Sequence, residues 1–364
     1  MSLGLLIIRA DASTAIGTGH VMRCLALAQG WRDAGGTVVF AMAESTSDID
    51  ARLQAERIEV AECRLSSDHE RDALEFARLA HARETAWVVI DGYHLHSAYQ
   101  AALKRLGLRV LVIDDCAQCD HYSADLVVDQ NPQASEEMYA SREAHVRLLL
   151  GTRFAMLRHD FQRWQNWHRE IPDRAHRLLI TMGGSDPDKL TIRLIASLRR
   201  ISAPDLSVTV VAGGSNPHSV QLRQAIAEVH TSIRFLNQTD RMPELMAESD
   251  VAIICGGGTL WELLFMGCAA MSYSRTPEQA EIVAALEKIG AVRNLGTATT
   301  MDADSLVRNI AELLASSSAR SKMAGIGRNL VDGKGIPRIL EHLRREEVSH
   351  VSCLEHGADP VCTA

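Results

Sequence analysis

The stretch LLIIRADASTAIGTGHVMRCLALAQGWRDAGGTVVFAM, residues 5–42, contains a strand, a helix and a second strand. Leu5-Leu6-Ile7-Ile8 is an apolar run without polar alternation, the pattern of a strand buried in a parallel sheet. Arg9 to Gly19 is small, polar and turn-forming. Val21, Leu25, Ala28 and Trp31 then keep helical spacing until Gly35-Gly36 ends the helix, and Val38 to Met42 opens the next strand. One βαβ unit is predicted, with His20 at the entrance to its helix.

Short apolar runs repeat this alternation along the chain. In the first half they are residues 87–90, 110–113, 126–128 and 146–150; in the second they are 178–181, 208–211, 233–235, 251–254 and 269–273. Runs of this kind suit parallel sheets with helices on both faces, so the fold class is α/β: two Rossmann-like domains facing a central cleft. The charged stretch RWQNWHREIPDRAHR, residues 163–177, loses the strand pattern and contains proline, which marks it as the linker. The expected domains are 1–162 and 178–347, followed by a loosely ordered tail at 348–364 that lacks helical period.

The composition of the 364 residues narrows the function. Hydrophobic residues make up 46%, and no apolar run approaches the ~20 residues of a membrane span. The first residues lack a basic region followed by an apolar stretch, so a cytoplasmic protein without stable membrane insertion is expected. A net charge of −8 argues against nucleic acid as the main partner. The 8 cysteines are dispersed, as suits reduced thiols. Cys116-x-x-Cys119 followed by His121 lacks a second ligand pair at zinc spacing, and no metal is expected there.

Three glycine-rich turns follow strands of the second half: Met182-Gly183-Gly184-Ser185-Asp186, Ala212-Gly213-Gly214-Ser215-Asn216 and Gly256-Gly257-Gly258-Thr259. The first and third are expected to lead directly into helices. Glycine allows close backbone approach, and free amides at a helix start attract phosphate. Any one turn is accounted for as a tight strand-to-helix connection, but three at one sheet edge point to a diphosphate site, with Gly183, Gly184, Ser185, Gly257, Gly258 and Thr259 as its candidates. Glu262 has two readings of equal weight. Thr259-x-x-Glu262 has the spacing of a capping box, and a carboxylate one turn into a cleft-facing helix can also accept both hydroxyls of a ribose. A nicotinamide-binding fingerprint is disfavoured, because Gly17-x-Gly19-x-x-Met22 lacks the third small residue, although Glu44 stands where a ribose-binding acid belongs.

The ordered series Arg9-x-Asp11, Gly17-x-Gly19-His20-x-x-Arg23, Ile90-Asp91-x-Tyr93, Ile113-Asp114-Asp115, Asp129-Gln130-Asn131, Gly151-x-x-Phe154-Ala155-x-Leu157-Arg158 and Met182-Gly183-Gly184-Ser185-Asp186 resembles the PseG family. Members hydrolyse UDP-2,4-diacetamido-2,4,6-trideoxy-β-L-altropyranose in pseudaminic acid biosynthesis and have the GT-B fold of MurG. The likeness spans roughly residues 5–340. It implies a UDP-sugar substrate, UDP in the second domain and a sugar projecting toward His20. It favours the ribose reading of Glu262. An Asn-Gln pair of the family appears here as Glu278-Gln279, so only Gln279 carries over to the sugar site.

The implied reaction needs an oriented water and a stabilised diphosphate leaving group, and its chemistry requires neither metal nor cofactor. A single general base suffices. The positive end of a helix disfavours an imidazolium, which leaves His20 able to take a proton near pH 7. Asp11 either orients that ring or caps the loop. Tyr93 matches a family tyrosine near the histidine, and a packing residue with a wet hydroxyl is the alternative. Gly17, Gly19 and Arg23 border the sugar in this reading. A glycosyltransferase of the same fold, and a nucleotide-sugar-binding protein without turnover, are the competing functions.

Overall fold

A computed structural model describes residues 3–13, 16–63, 69–201, 203–214 and 216–355, the last ten by their backbone alone. Thirteen strands are present among the described residues. Those of the first half are β1 Leu5–Ala10, β2 Thr37–Met42, β3 Glu59–Glu62, β4 Trp87–Asp91, β5 Val110–Ile113, β6 Leu126–Asp129 and β7 Arg147–Leu150. Those of the second are β8 Arg177–Thr181, β9 Ser207–Ala212, β10 Ser232–Asn237, β11 Val251–Cys255, β12 Ala269–Ser274 and β13 Val292–Thr297. Helices α1 Gly19–Asp33, α2 Ser47–Ala55, α3 His69–Ala82 and α4 Ser97–Arg105 connect the first set. The second set carries α5 Leu190–Leu198, α6 Ser219–Ala227, α7 Met242–Glu248, α8 Gly258–Phe265, α9 Pro277–Lys288, α10 Ala303–Ala315 and α11 Ser317–Leu330, and α12 Gly335–Glu355 follows.

The strands form two sheets, ordered β3-β2-β1-β4-β5-β6-β7 and β10-β9-β8-β11-β12-β13. Every strand pair is parallel. Each strand order reverses once, between β1 and β4 in the first sheet and between β8 and β11 in the second. Crevices at such reversals, beyond the carboxyl ends of the strands, are where open α/β sheets bind ligands. The expected runs all appear as strands. β3, with the exposed sequence EVAE, and β13, with VRNLGT, escape the apolar-run criterion because they are sheet edges carrying polar residues.

Apolar layers cover both faces of each sheet. One layer places Leu6, Ile8, Trp87, Val89 and Leu111 against Leu25, Ala28 and Trp31 of α1; the opposite layer joins Ile7, Val88 and Val110 to α3 and α4. The second sheet is sandwiched between α5 and α10 on one face and α8 and α9 on the other.

The expected domain limits require correction. α12 runs to Glu355 instead of dissolving at 348, and Ile336, Ile339, Leu340 and Leu343 join the core of the first sheet. Their i, i+3, i+4, i+7 spacing forms one apolar stripe, and each buried side chain contributes ~1.5–3 kcal/mol, which favours return of the helix to the first domain. The remaining tail, 356–364, lies outside the described residues. The linker also begins earlier than 163. Phe154 and Met156 point into the first core, whereas Ala155, Leu157 and Phe161 point into the second. Residues 165–176 are irregular, as expected, but Arg169 ties them to the second domain by donating to the carbonyls of Met246, Ser249 and Met266.

Candidate active site

His20 occupies the first turn of α1 and is 7% exposed. Asp91 is the last residue of β4, register partner of Ala10 in β1, so it lies at the strand-order reversal of the first sheet. Chain topology thereby brings together two residues 71 positions apart: His20 Nδ1 is 2.6 Å from Asp91 Oδ1. Arg23, one helical turn after His20, donates to both Asp91 oxygens, from Nη2 and Nε at 2.6 Å each. Its Nη1 donates to Asp115, beyond β5. Cys24 Sγ is 3.3 Å from Asp91 Oδ2. Burial pushes the Asp91 carboxyl up, but the charges of Arg23 and His20 and their hydrogen bonds outweigh it, holding Asp91 well below the usual carboxylate range. Arg23 Nη2, a donor, also lies 3.1 Å from Nδ1, but the shorter 2.6 Å contact with the ionised Asp91 favours a proton on that nitrogen, and in this tautomer Nε2 is the ring's acceptor.

Arg23 is therefore not a free sugar contact. Its side chain is 11% exposed and engaged by two carboxylates. The Tyr93 ring stands edge-on to His20 at a centroid distance of 5.0 Å, and its hydroxyl is 3.4 Å from Asp115 Oδ2. Burial and then Asp115 push its phenol up, so the hydroxyl keeps its proton. Tyr93 is 46% exposed, the most accessible member of the group.

Asp11 does not orient the imidazole. It pairs with Arg9 at 2.6 Å and accepts the backbone amides of Ala43 and Glu44 at 2.7 and 3.1 Å. Burial acts to raise its carboxyl, but the His94 ring, whose Nε2 lies 3.4 Å from Oδ2, the charge of Arg9 and these amides carry it well below the usual range. Immediately after β1, it ties the loop to the segment after β2, which is the loop-capping alternative. Gly17, with φ 83°, closes that loop through Gly17 N to Ser13 O at 2.8 Å. A Cβ at Gly17 or Gly19 would meet open space.

The second-domain turns face this edge. Gly184 approaches Thr18 so closely that an added Cβ would stand 3.3 Å from the threonine hydroxyl. The Met182–Asp186 turn does not enter a helix directly. A loop runs to Leu190, and Asp186 caps α5 by accepting the amides of Leu190 and Thr191 at 2.9 Å each. Gly183 and the buried Ser185 lie on that loop. Ser215 of the middle turn lies outside the described residues. The third turn does enter a helix: Gly257, with φ 75°, is the N-cap of α8, and no side chain caps that end. The amides of Gly258 and Thr259 thus open the helix at the strand-order reversal of the second sheet.

This start displaces the capping-box reading. Glu262 lies in the second turn of α8 rather than three residues after a cap, and its Oε1 accepts Arg158 Nε and Nη2 at 2.9 and 2.8 Å. A related cap occurs at α9, where the N-cap Thr276 hydroxyl accepts Gln279 N at 3.3 Å and Gln279 Oε1 reaches back to accept the amide of Arg275, one residue before the cap, at 3.0 Å. Cys119 accepts a hydrogen bond from Gln100, and the His121 ring faces Ser141 and Glu143. Burial pushes the Cys116 thiol up to about 12 and that of Cys119 up to about 11.

Sequence reasoning missed Asp91 and Asp115 as site residues, although both close strands or begin the loops after them. A carboxylate at the carboxyl end of a buried apolar run was the available signal.

Residues 178–331 match the glycosyltransferase family 28 C-terminal domain. The chain is 26% identical over 260 residues to the UDP-2,4-diacetamido-2,4,6-trideoxy-beta-L-altropyranose hydrolase of Campylobacter jejuni, covering 71% of this chain and 87% of that protein. It is 28% identical over 210 residues to the spore coat polysaccharide biosynthesis protein SpsG of Bacillus subtilis, covering 57% of this chain but only 61% of the relative. An uncharacterized Methanocaldococcus jannaschii protein is 24% identical over 263 residues, which span 71% of this chain and 53% of its own length. Among solved structures, Acinetobacter baumannii MurG superposes with a TM-score of 0.69 at 17% identity, covering 94% of this chain and 99% of MurG. Anabaena HepE, solved in complex with UDP, gives 0.59 at 14% identity, covering 94% and 99%. No helix among the described residues is long and apolar enough to cross a membrane. The chain has the GT-B fold of MurG, and its residues 178–331 are similar to the glycosyltransferase family 28 C-terminal domain.

Proposed function

We propose that the protein hydrolyses UDP-2,4-diacetamido-2,4,6-trideoxy-β-L-altropyranose to UDP and the free sugar, a step of pseudaminic acid biosynthesis, with His20 as general base. The observation that carries the reading is the 2.6 Å His20–Asp91 pair at the strand-order reversal of the first sheet, together with the start of α8, which no side chain caps, at the reversal of the second. The likeness to the Campylobacter hydrolase supplies the substrate. Water attacks the anomeric carbon from the face opposite UDP, and its proton passes to His20 Nε2. The new carbon–oxygen bond forms as the bond to the diphosphate oxygen breaks, and that electron pair leaves with UDP. Asp91 is the countercharge for the imidazolium so formed. The amides of Gly258 and Thr259 at the α8 terminus stabilise the departing diphosphate, with Gly257, Gly183, Gly184 and Ser185 alongside. Glu262 accepts the ribose hydroxyls, and Gly17, Gly19, Tyr93 and Gln279 border the sugar. Arg23 acts through His20 and Asp91.

The family 28 domain favours one second reading, a glycosyltransferase in which an acceptor hydroxyl replaces water. NMR of the protein incubated with the UDP-sugar alone separates the two. Hydrolysis gives UDP and free sugar in equal amounts, with the inverted anomer first. A transferase gives neither until an acceptor is added.

A further inference from the structure

Arg158 is the one residue that grips Glu262 among the described residues, and nothing in the reaction above employs it. Its backbone belongs to the strap between the sheets, where the next residue, His159, donates its amide to Gln29 of α1 at 2.8 Å. Its guanidinium crosses to α8 and places two donors on a single oxygen, Glu262 Oε1. The ring of the fully buried Phe161 supports it from 5.4 Å, and Asp160 Oδ2 lies 3.4 Å from Nη1. Burial works against the Arg158 charge, but Glu262 more than offsets it and raises the guanidinium pKa. Both side chains are largely enclosed, 13% and 11% exposed, so the pair is held with little freedom. Glu262 Oε2 accepts no hydrogen bond among the described residues.

We propose that Arg158 is a positioning residue for nucleotide recognition: by occupying Oε1 it fixes the Glu262 carboxylate with Oε2 presented to the ribose hydroxyls of a uridine nucleotide. The inference rests on the ribose reading of Glu262 given above. A carboxylate on three rotatable bonds must be ordered before it can accept a hydroxyl, and a neighbouring bidentate guanidinium meets that cost in advance. The arrangement also makes ribose recognition depend on a residue of the inter-sheet strap, which a carboxylate ordered from within α8 alone would not require.

The test is calorimetric titration with UDP and with 2′-deoxy-UDP of the wild type, Arg158→Ala, Arg158→Lys and Glu262→Ala. The ratio of the two affinities is an internal control, since general damage to the fold weakens both nucleotides alike. The wild type is expected to prefer UDP by about tenfold. Glu262→Ala should abolish that preference. Arg158→Ala should reduce it to about threefold or less while leaving 2′-deoxy-UDP affinity within about twofold, and Arg158→Lys, which keeps charge but not the fork, should fall between. Loss of preference in Glu262→Ala with full preference in Arg158→Ala overturns the role of Arg158 and leaves the ribose reading standing. Tighter UDP binding by Arg158→Ala would show that the arginine competes with ribose, and also overturns the inference. Absence of preference in the wild type removes the ribose reading and this inference together. Should Arg158→Ala fail to fold, Arg158→Lys decides: an undiminished ratio contradicts the proposal, a reduced one supports it.

Discussion

His20 Nδ1, in the first turn of α1, and Asp91 Oδ1, at the end of β4, lie 2.6 Å apart although the two residues are 71 positions apart in the chain. Asp91 also receives two hydrogen bonds from Arg23, so the ring is held by a carboxylate that is itself immobilised. The same side chain that orients the imidazole supplies the charge opposite the imidazolium. Orientation and electrostatics are therefore not separable by distance alone, but they respond differently to substitution.

Asp91→Asn keeps the size of the side chain and removes the charge. It is expected to lower kcat by about 10²–10⁴-fold, as loss of base function does, with UDP affinity unchanged because the nucleotide lies on the other domain. Steady-state kinetics beside calorimetry checks this. A rise in KM with kcat intact would instead mark Asp91 as a binding residue.

Glu262→Ala should weaken UDP, since a carboxylate accepting hydroxyl hydrogen bonds contributes ~1.5–3 kcal/mol for each. It also leaves Arg158 buried without its partner, so a fall in melting temperature accompanies the loss. Unchanged UDP affinity with a lowered melting temperature would reduce Glu262 to a structural ion pair.

Asp129, at the end of β6, sets a pH dependence of stability. Burial, together with Asp115 and Asp114, pushes its carboxyl up to about 7, against hydrogen bonds from Asn131 N and the Tyr139 hydroxyl that pull it down. A carboxyl raised in the folded state contributes stability that is complete below its unfolded pKa and is lost as pH rises through about 7. The wild type should lose about 1 kcal/mol from this group between pH 6 and pH 8. Thermal denaturation at the two pH values should show a smaller loss in Asp129→Asn; equal losses would show that Asp129 is ionised throughout.

Much of this was legible before the structure. Apolar runs located the central strands, because a parallel strand buried on both faces must be apolar throughout, and the break at Gly35-Gly36 bounded α1. β3 and β13 were invisible for the converse reason, being edges with polar side chains. His20 stood out by its place at a helix start. Asp91 did not, because its role depends on β1 and β4 being adjacent, which is a property of strand order rather than local pattern. Asp11 and Arg23 are close to His20 in sequence, but the loop turns one toward Arg9 and the helix turns the other toward Asp91 and Asp115. Glu262 was ambiguous because the capping box depends on where α8 starts, and a start at Gly258 decides against it. The return of α12 to the first core is likewise a tertiary outcome that its stripe of Ile336, Ile339, Leu340 and Leu343 permits without specifying.

The central claim is that His20 takes the proton from the attacking water, and turnover of His20→Asn on the UDP-sugar tests it most directly. Asparagine keeps polarity and comparable size but has no group able to accept that proton. With UDP affinity measured in parallel, hydrolysis should fall by about 10²–10⁴-fold while UDP binds as in the wild type. An asparagine variant that retains most of the wild-type turnover would contradict the account.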